Sequence, residues 1–168
     1  RNLMTVRVAQ KVGFDKISKV TKDFGVYNDL PELLSVSLGS AETTLIKLTN
    51  AYCSFVNGGK KVTPIFIDRI QNRRGKTIFN ADKRKCKGCE EISYLKDEMP
   101  TIEDNRKQII SAETAYQITS MMEGVIKRGT GRKLRDLKLR LAGKTGTTNK
   151  NMDAWFLGFT SKIAIGVY

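Results

Sequence analysis

Leu137-Lys138-Leu139-Arg140-Leu141, then Gly143-Lys144-Thr145-Gly146-Thr147-Thr148-Asn149, then two further apolar stretches at 153–160 and 163–168, close this 168-residue sequence. Apolar and charged residues alternate from Leu137 to Leu141, the period of a half-buried strand. The pattern predicts strands over 137–148, 153–160 and 163–168. Residues 140–148 and 153–160 should pair antiparallel, with 163–168 beside them and Lys144 at the sheet edge facing a cleft. Upstream, residues 3–12 and 14–23 read as short helices broken at Gly13 and Gly25. Residues 41–56 read as a stronger helix, capped by Ser40, stopped at Asn57-Gly58-Gly59, with Leu45, Leu48, Tyr52 and Phe55 on one face. Strands follow at 62–70 and 77–79 around Arg74-Gly75, then a helix at 112–127 between Ser111 and Gly129. Helices, a hairpin, a helix and consecutive strands predict an α+β fold, an antiparallel sheet packed with helices, not a doubly wound one.

Composition narrows the chemistry. Hydrophobic residues make up 40% and charged residues 28%, an ordinary globular balance. The net charge of +13 raises nucleic acid, an anionic membrane or an acidic small substrate as partners. The charge is segregated: residues 69–87 are basic and 90–104 acidic, which reads as a solvated surface excursion more than a binding stripe. Residues 80–108 are poorly periodic and are taken as a surface insertion within a single domain spanning 1–168. A basic module for nucleic acid or an anionic surface remains the reading from a different class; aromatics, at 8%, sit mostly at apolar-periodic positions. The chain has no histidine, which excludes a Ser-His-Asp triad and any His-ligated metal within it. Cys86 and Cys89 form a lone C-x-x-C, open to a local disulfide, two free thiols or a metal. Cys53 lies in an apolar helical stretch and reads as core. Tyr116, Met121 and Met122 read as helix packing, and Trp155 and Phe156 as core on the second strand. No apolar run is long enough for a membrane span. The sequence starts at Arg1 and stops in an apolar run, so both ends are expected to continue in a longer protein.

Two functions compete for Gly143–Asn149. A phosphate loop needs the leading glycine of G-x-x-x-x-G-K-[ST], but that position is Lys138 here, and Ile70 for the second match at Gly75-Lys76-Thr77. Neither can cradle phosphate. The other reading is the K-T-G element of active-site serine enzymes that recognise penicillin. There a lysine on an edge strand presents an ammonium, a glycine lets a peptide lie against the backbone, and the next residue offers an amide to an oxyanion and a hydroxyl to a carboxylate.

The surroundings carry the same resemblance. SAETAYQITSMMEGVIKRGTG at 111–131, LAGKTGTTNKNMDAWFLGFTSKIAIGVY at 141–168 and SLGSAETTLIKLTNAYCSFVNGGKKVTPIFIDRI at 37–70 resemble the end of the transpeptidase domain of class A penicillin-binding proteins. By that resemblance Asn2 is the third member of S-x-N, whose serine falls one residue before Arg1. The nucleophile of S-x-x-K is also expected outside this sequence. The one match, Ser93-Tyr94-Leu95-Lys96, follows the S-x-N position instead of preceding it and reads as a decoy. Gly129-Thr130-Gly131 matches a turn of the family and is explained as well by a helix C-cap.

The resemblance implies a peptidoglycan D,D-transpeptidase working through a serine acyl-enzyme at the periplasmic face of the bacterial inner membrane. Its membrane anchor would lie outside this chain. Its partners would be peptidoglycan stem peptides ending in D-Ala-D-Ala and β-lactam antibiotics, with no nucleic acid and no cofactor. Lys144, Thr147 and Asn2 are the implied catalytic residues, and Lys144, Thr145, Gly146, Thr147 and Thr148 the implied substrate-binding ones, with no metal. A D,D-carboxypeptidase or a β-lactamase on the same fold is the nearest alternative. In an oxidising periplasm Cys86 and Cys89 should be exposed and able to bridge, with Cys53 buried and free.

Overall fold

The computed structural model describes residues 2–87, 89, 101–148 and 153–168. It divides into two compact units, one of residues 1–62 with 108–168 and one of 63–107. In the first unit α1 (Asn2–Val12) and α2 (Phe14–Asp23) lead through a 3-10 turn, Leu34–Leu38, to α3 (Leu45–Val56). After the excursion come α4 (Ala112–Arg128), a second 3-10 turn at Arg132–Leu137, and β5 (Ala142–Thr147), β6 (Ala154–Phe159) and β7 (Ala164–Val167). The second unit holds β1 (Arg69–Gln71) with β2 (Thr77–Asn80), and β3 (Cys86–Lys87) with β4 (Thr101–Ile102), each an antiparallel pair.

The last three strands form one antiparallel sheet in the order β5-β6-β7. Ala142 pairs with Phe159 and Thr147 with Ala154, while Phe156 pairs with Val167. α3 and α4 cover one face of this sheet. Met122 of α4, Ala142 and Phe159 are buried together against Tyr52, Phe55 and Val56 of α3. Burying Phe159 and Leu157, at 4% and 3% exposure, stabilises by roughly 2–3 kcal/mol each. A second cluster, Phe24, Val26 and Ala51, sits on the other side of α3 with Leu48, Phe55, Ile109 and Ile110. Four aromatic rings join the clusters: Phe24 to Phe55 at 5.2 Å, Phe55 to Tyr52 at 5.8 Å, and Tyr52 to Phe159 at 6.2 Å between centroids.

Two glycines let backbone approach backbone. A Cβ on Gly166 of β7 would collide with Thr49 Oγ1 and come within 3.0 Å of Leu45, both on α3. Gly59, at φ 89°, accepts hydrogen bonds from the amides of Ile109 and Ile110 through its carbonyl. The chain that leaves α3 is thereby stitched to the chain that returns at Gln108.

Several expected boundaries move. α3 starts at Leu45, not at residue 41, and its cap is Thr44, which accepts from the Lys47 amide, not Ser40. Residues 41–43 lie outside the helix instead: Tyr27 Oη donates to the Ala41 carbonyl and Thr43 Oγ1 to the Val26 carbonyl. The 62–70 strand shrinks to Arg69–Gln71, because residues 63–68 find no ladder partner among the described residues and Pro64 has no amide to give. The alternating run 137–141 is not strand. The 3-10 turn ends at Lys138 with φ 51°, and Leu137 and Leu139 stay exposed. Tyr116 and Met121 are exposed and only Met122 packs inward; on β6 the buried residues are Leu157 and Phe159, not Trp155 and Phe156. Cys86 and Cys89 form the local disulfide. Cys53 is free but half-buried, not buried, its thiol donating to the Thr49 carbonyl. The Ser93–Lys96 match lies outside the described residues.

One ion cluster ties α4 to the segment entering β5. The Glu123 side chain, 11% exposed, accepts from Lys127 Nζ and from Arg140 Nε, each at 2.8 Å. The Lys127 bond first, and the Arg140 bond next, hold the Glu123 carboxyl below its usual pKa. A depressed folded pKa contributes stability above the unfolded value, about 4.3, which is lost as pH falls through the folded value.

Two stability predictions follow from these contacts. Glu123→Gln should cost about 1–2 kcal/mol in urea unfolding at pH 7, with the gap from wild type narrowing as pH falls through the depressed Glu123 pKa; a gap that stays constant with pH contradicts the ion cluster. Gly166→Ala should cost about 1–3 kcal/mol because α3 cannot retreat without opening the core.

Candidate active site

β5 is the terminal strand of the described sheet, so one of its two edges carries no neighbour. The direction of its backbone groups follows from one hydrogen bond. The Thr148 amide donates to the Asp153 carbonyl at 3.1 Å, toward β6. Amides alternate sides along an extended strand. Gly146 and Lys144 therefore also face β6, while the amides and carbonyls of Thr147 and Thr145 face the free edge. An amide there is free to meet an oxyanion, and the strand can accept an extended peptide alongside it.

Side chains alternate between the faces. Ala142, Lys144 and Gly146 share the face that α3 and α4 cover. Ala142 is buried but Lys144 is exposed, so the helical cover ends between them. The Lys144 ammonium turns back to the free edge and donates to the Thr145 carbonyl. Thr145 and Thr147 share the opposite face, Thr145 half-buried and Thr147 exposed.

The glycines of the motif separate fold from chemistry. A Cβ on Gly143 would press to 2.7 Å on the Leu157 carbonyl oxygen and 3.0 Å on the Phe156 ring. A Cβ on Gly146 would meet only Trp155 Cβ, at an ordinary 3.5 Å. Packing demands glycine at 143 and does not demand it at 146, where a side chain would instead project beside Lys144.

The remaining expected residues are placed differently. The Thr148 hydroxyl accepts from the Asp153 amide at 2.8 Å and donates to its carboxylate at 3.3 Å, closing the connection to β6. The other oxygen of that carboxylate accepts from Tyr168 Oη at 2.8 Å, which raises the Tyr168 pKa, and the Tyr168 ring stacks edgewise on Trp155. Asn2 opens α1, exposed, on an element that packs against the Leu34–Leu38 turn and α2. Two participants carry no signal in the sequence: Asp153 belongs to no motif, and Thr130 reads as part of a helix cap. The Thr130 hydroxyl lies 2.7 Å from that of Thr145.

A cavity of about 330 Å³ opens between α3, α4 and the start of β5, lined by Phe55, Tyr116, Glu123, Arg140 and Phe159 among others; Lys144 is not part of it. Among the described residues no group of three or more His, Cys, Asp or Glu is placed to hold a metal, and no helix is long and apolar enough to cross a membrane.

The family described as penicillin binding protein transpeptidase domain matches residues 1–167. Penicillin-binding protein 1A of Rickettsia typhi is 45% identical over 172 residues, covering 100% of this chain and 22% of that protein. The Pseudomonas aeruginosa penicillin-binding protein 1A is 36% identical over 200 residues, covering 24% of its length. The chain thus spans about a fifth to a quarter of the relatives it matches. Among solved structures, penicillin-binding protein 1A from Haemophilus influenzae superposes with a TM-score of 0.74 at 30% identity, covering 95% of this chain and 27% of that one. Penicillin-binding protein A from M. tuberculosis, solved as an imipenem acyl-enzyme complex, gives 0.68 at 17% identity over 96% of this chain and 39% of its own, and shares the fold. The α+β architecture, the K-T-G edge strand and the match along nearly the whole sequence agree, and the chain belongs to the penicillin-binding protein transpeptidase domain family.

Proposed function

We propose that this chain supplies the K-T-G wall of a peptidoglycan D,D-transpeptidase site. The observation that carries the reading is the free edge of β5, toward which the Thr147 amide points and the Lys144 ammonium turns to the Thr145 carbonyl, beside a glycine that packing does not require. A stem peptide ending in D-Ala-D-Ala lies along this edge. A serine outside these 168 residues attacks the carbonyl of the D-Ala-D-Ala bond, and the oxyanion that forms takes a hydrogen bond from the Thr147 amide. The terminal D-Ala leaves as its amine, and an amine of a second stem peptide then takes the acyl group from the serine. Lys144 and the Thr147 hydroxyl hold the donor's terminal carboxylate, Asn2 hydrogen-bonds its backbone, and Thr145, Gly146 and Thr148 shape the strand it lies on. β-Lactams enter as mimics of the donor and stay as acyl-enzymes. The setting is the periplasmic face of the inner membrane, with 80–108 as a surface insertion in one transpeptidase domain. A carboxypeptidase or β-lactamase differs only in passing the acyl group to water.

Labelling of the full-length protein by a fluorescent penicillin tests the reading. Lys144→Ala should slow acylation by roughly 10²-fold or more, and unchanged labelling would sink the assignment. Gly146→Ala should leave the melting temperature near wild type yet slow acylation roughly tenfold by crowding the ligand. Normal acylation in Gly146→Ala would mean that the glycine does not serve the ligand.

A further inference from the structure

The sequence Gly129-Thr130-Gly131 is built to deliver one hydroxyl to the edge strand. The amides of Gly129 and Gly131 both donate to the Val125 carbonyl, at 3.0 and 3.1 Å, folding the end of α4 tightly back on itself. A Cβ on Gly129 would come within 2.9 Å of the Val125 backbone, and one on Gly131 within 2.8 Å of the Ile126 side chain. Their φ values, −107° and −90°, are open to any residue, so the glycines serve close approach and not backbone freedom. Between them Thr130 is exposed, and its hydroxyl lies 2.7 Å from that of Thr145.

The direction of that hydrogen bond matters. A hydroxyl has one proton and two lone pairs. A Thr145 that donates to Thr130 can offer only lone pairs to a ligand, and these repel a carboxylate. A Thr145 that accepts from Thr130 keeps its proton for the ligand, and the chained donors strengthen one another. Thr145 shares its face with Thr147, and its carbonyl already holds the Lys144 ammonium at the same edge.

We propose that Thr130 is a positioning residue: it donates to Thr145 Oγ1 and so keeps the Thr145 proton turned outward, toward the carboxylate of a ligand bound along β5. The inference rests on the functional reading above and adds the Thr145 hydroxyl to the Lys144 and Thr147 groups that meet the carboxylate. Thr130 itself touches no ligand; it fixes the polarity of the group that does.

The test is acylation of the full-length protein by a fluorescent penicillin and by the methyl ester of the same compound, which lacks the anionic carboxylate. With the free acid, Thr130→Val should raise the half-saturating concentration roughly five- to tenfold, and Thr130→Ser should restore it to within about twofold. With the ester, Thr130→Val and wild type should react alike. Thr130→Ala, which adds no bulk, is read the same way, and the acid-to-ester ratio does not depend on how much protein is folded. Equal losses on acid and ester, or no rescue by Ser, or a wild-type ratio in both variants, would overturn the proposal. Lys144→Ala separates the two levels. Normal labelling there sinks the functional reading, whereas lost labelling with a wild-type ratio in Thr130→Val sinks only the role of Thr130.

Discussion

Close packing of one helix against one sheet holds the whole arrangement. α3 meets β7 where Gly166 leaves no side chain between them; its Tyr52 packs on the sheet cluster and its Phe55 on both that cluster and the Phe24 cluster. Interiors are packed too densely for such a contact to be loosened locally. The register of β7 on β6, and of β6 on β5, is thereby referred back to α3. A strand with a free edge has only one ladder to hold it, so its position depends on what grips its covered face. For β5 that grip comes from Met122 against Ala142, and at the approach to the strand from Arg140 on Glu123.

The site emerges from the point where that cover stops. Ala142 is buried and Lys144 is exposed on the same face, two residues apart. Beyond the cover the strand offers ordinary β-sheet groups to a ligand, with amides at alternate residues and hydroxyls at Thr145 and Thr147. On the proposed reading the strand contributes the direction in which a rigid backbone points its donors, which costs no reorganisation when charge develops. The Thr148–Asp153–Tyr168 bonds close the far end of the same strand, so β5 is anchored at both ends while its middle stays open.

Much of this was legible in the residues. The apolar runs at 153–160 and 163–168, the caps at Ser111 and Gly129, and the K-T-G itself mark elements whose local chemistry and tertiary role agree. The misses share a cause: contacts between residues distant in sequence override local pattern. Ser40 looks like a cap, but Tyr27 and Val26 pin residues 41–43 and move the cap to Thr44. Leu137 to Leu141 alternates as a strand should, yet no partner strand lies there among the described residues and Lys138 turns left-handed. Thr130 and Asp153 carry no local signal because each makes its hydrogen bond to a residue 15 positions away, Thr145 and Tyr168 respectively. No periodicity reports such pairs.

The most direct measurement is a crystal structure of the full-length protein acylated by a penicillin. The account predicts that the ligand lies antiparallel along the free edge of β5, its carbonyl oxygen within hydrogen-bond reach of the Thr147 amide and its carboxylate at the Lys144 ammonium and the Thr147 hydroxyl. A covalently bound ligand that leaves this edge of β5 empty would contradict it.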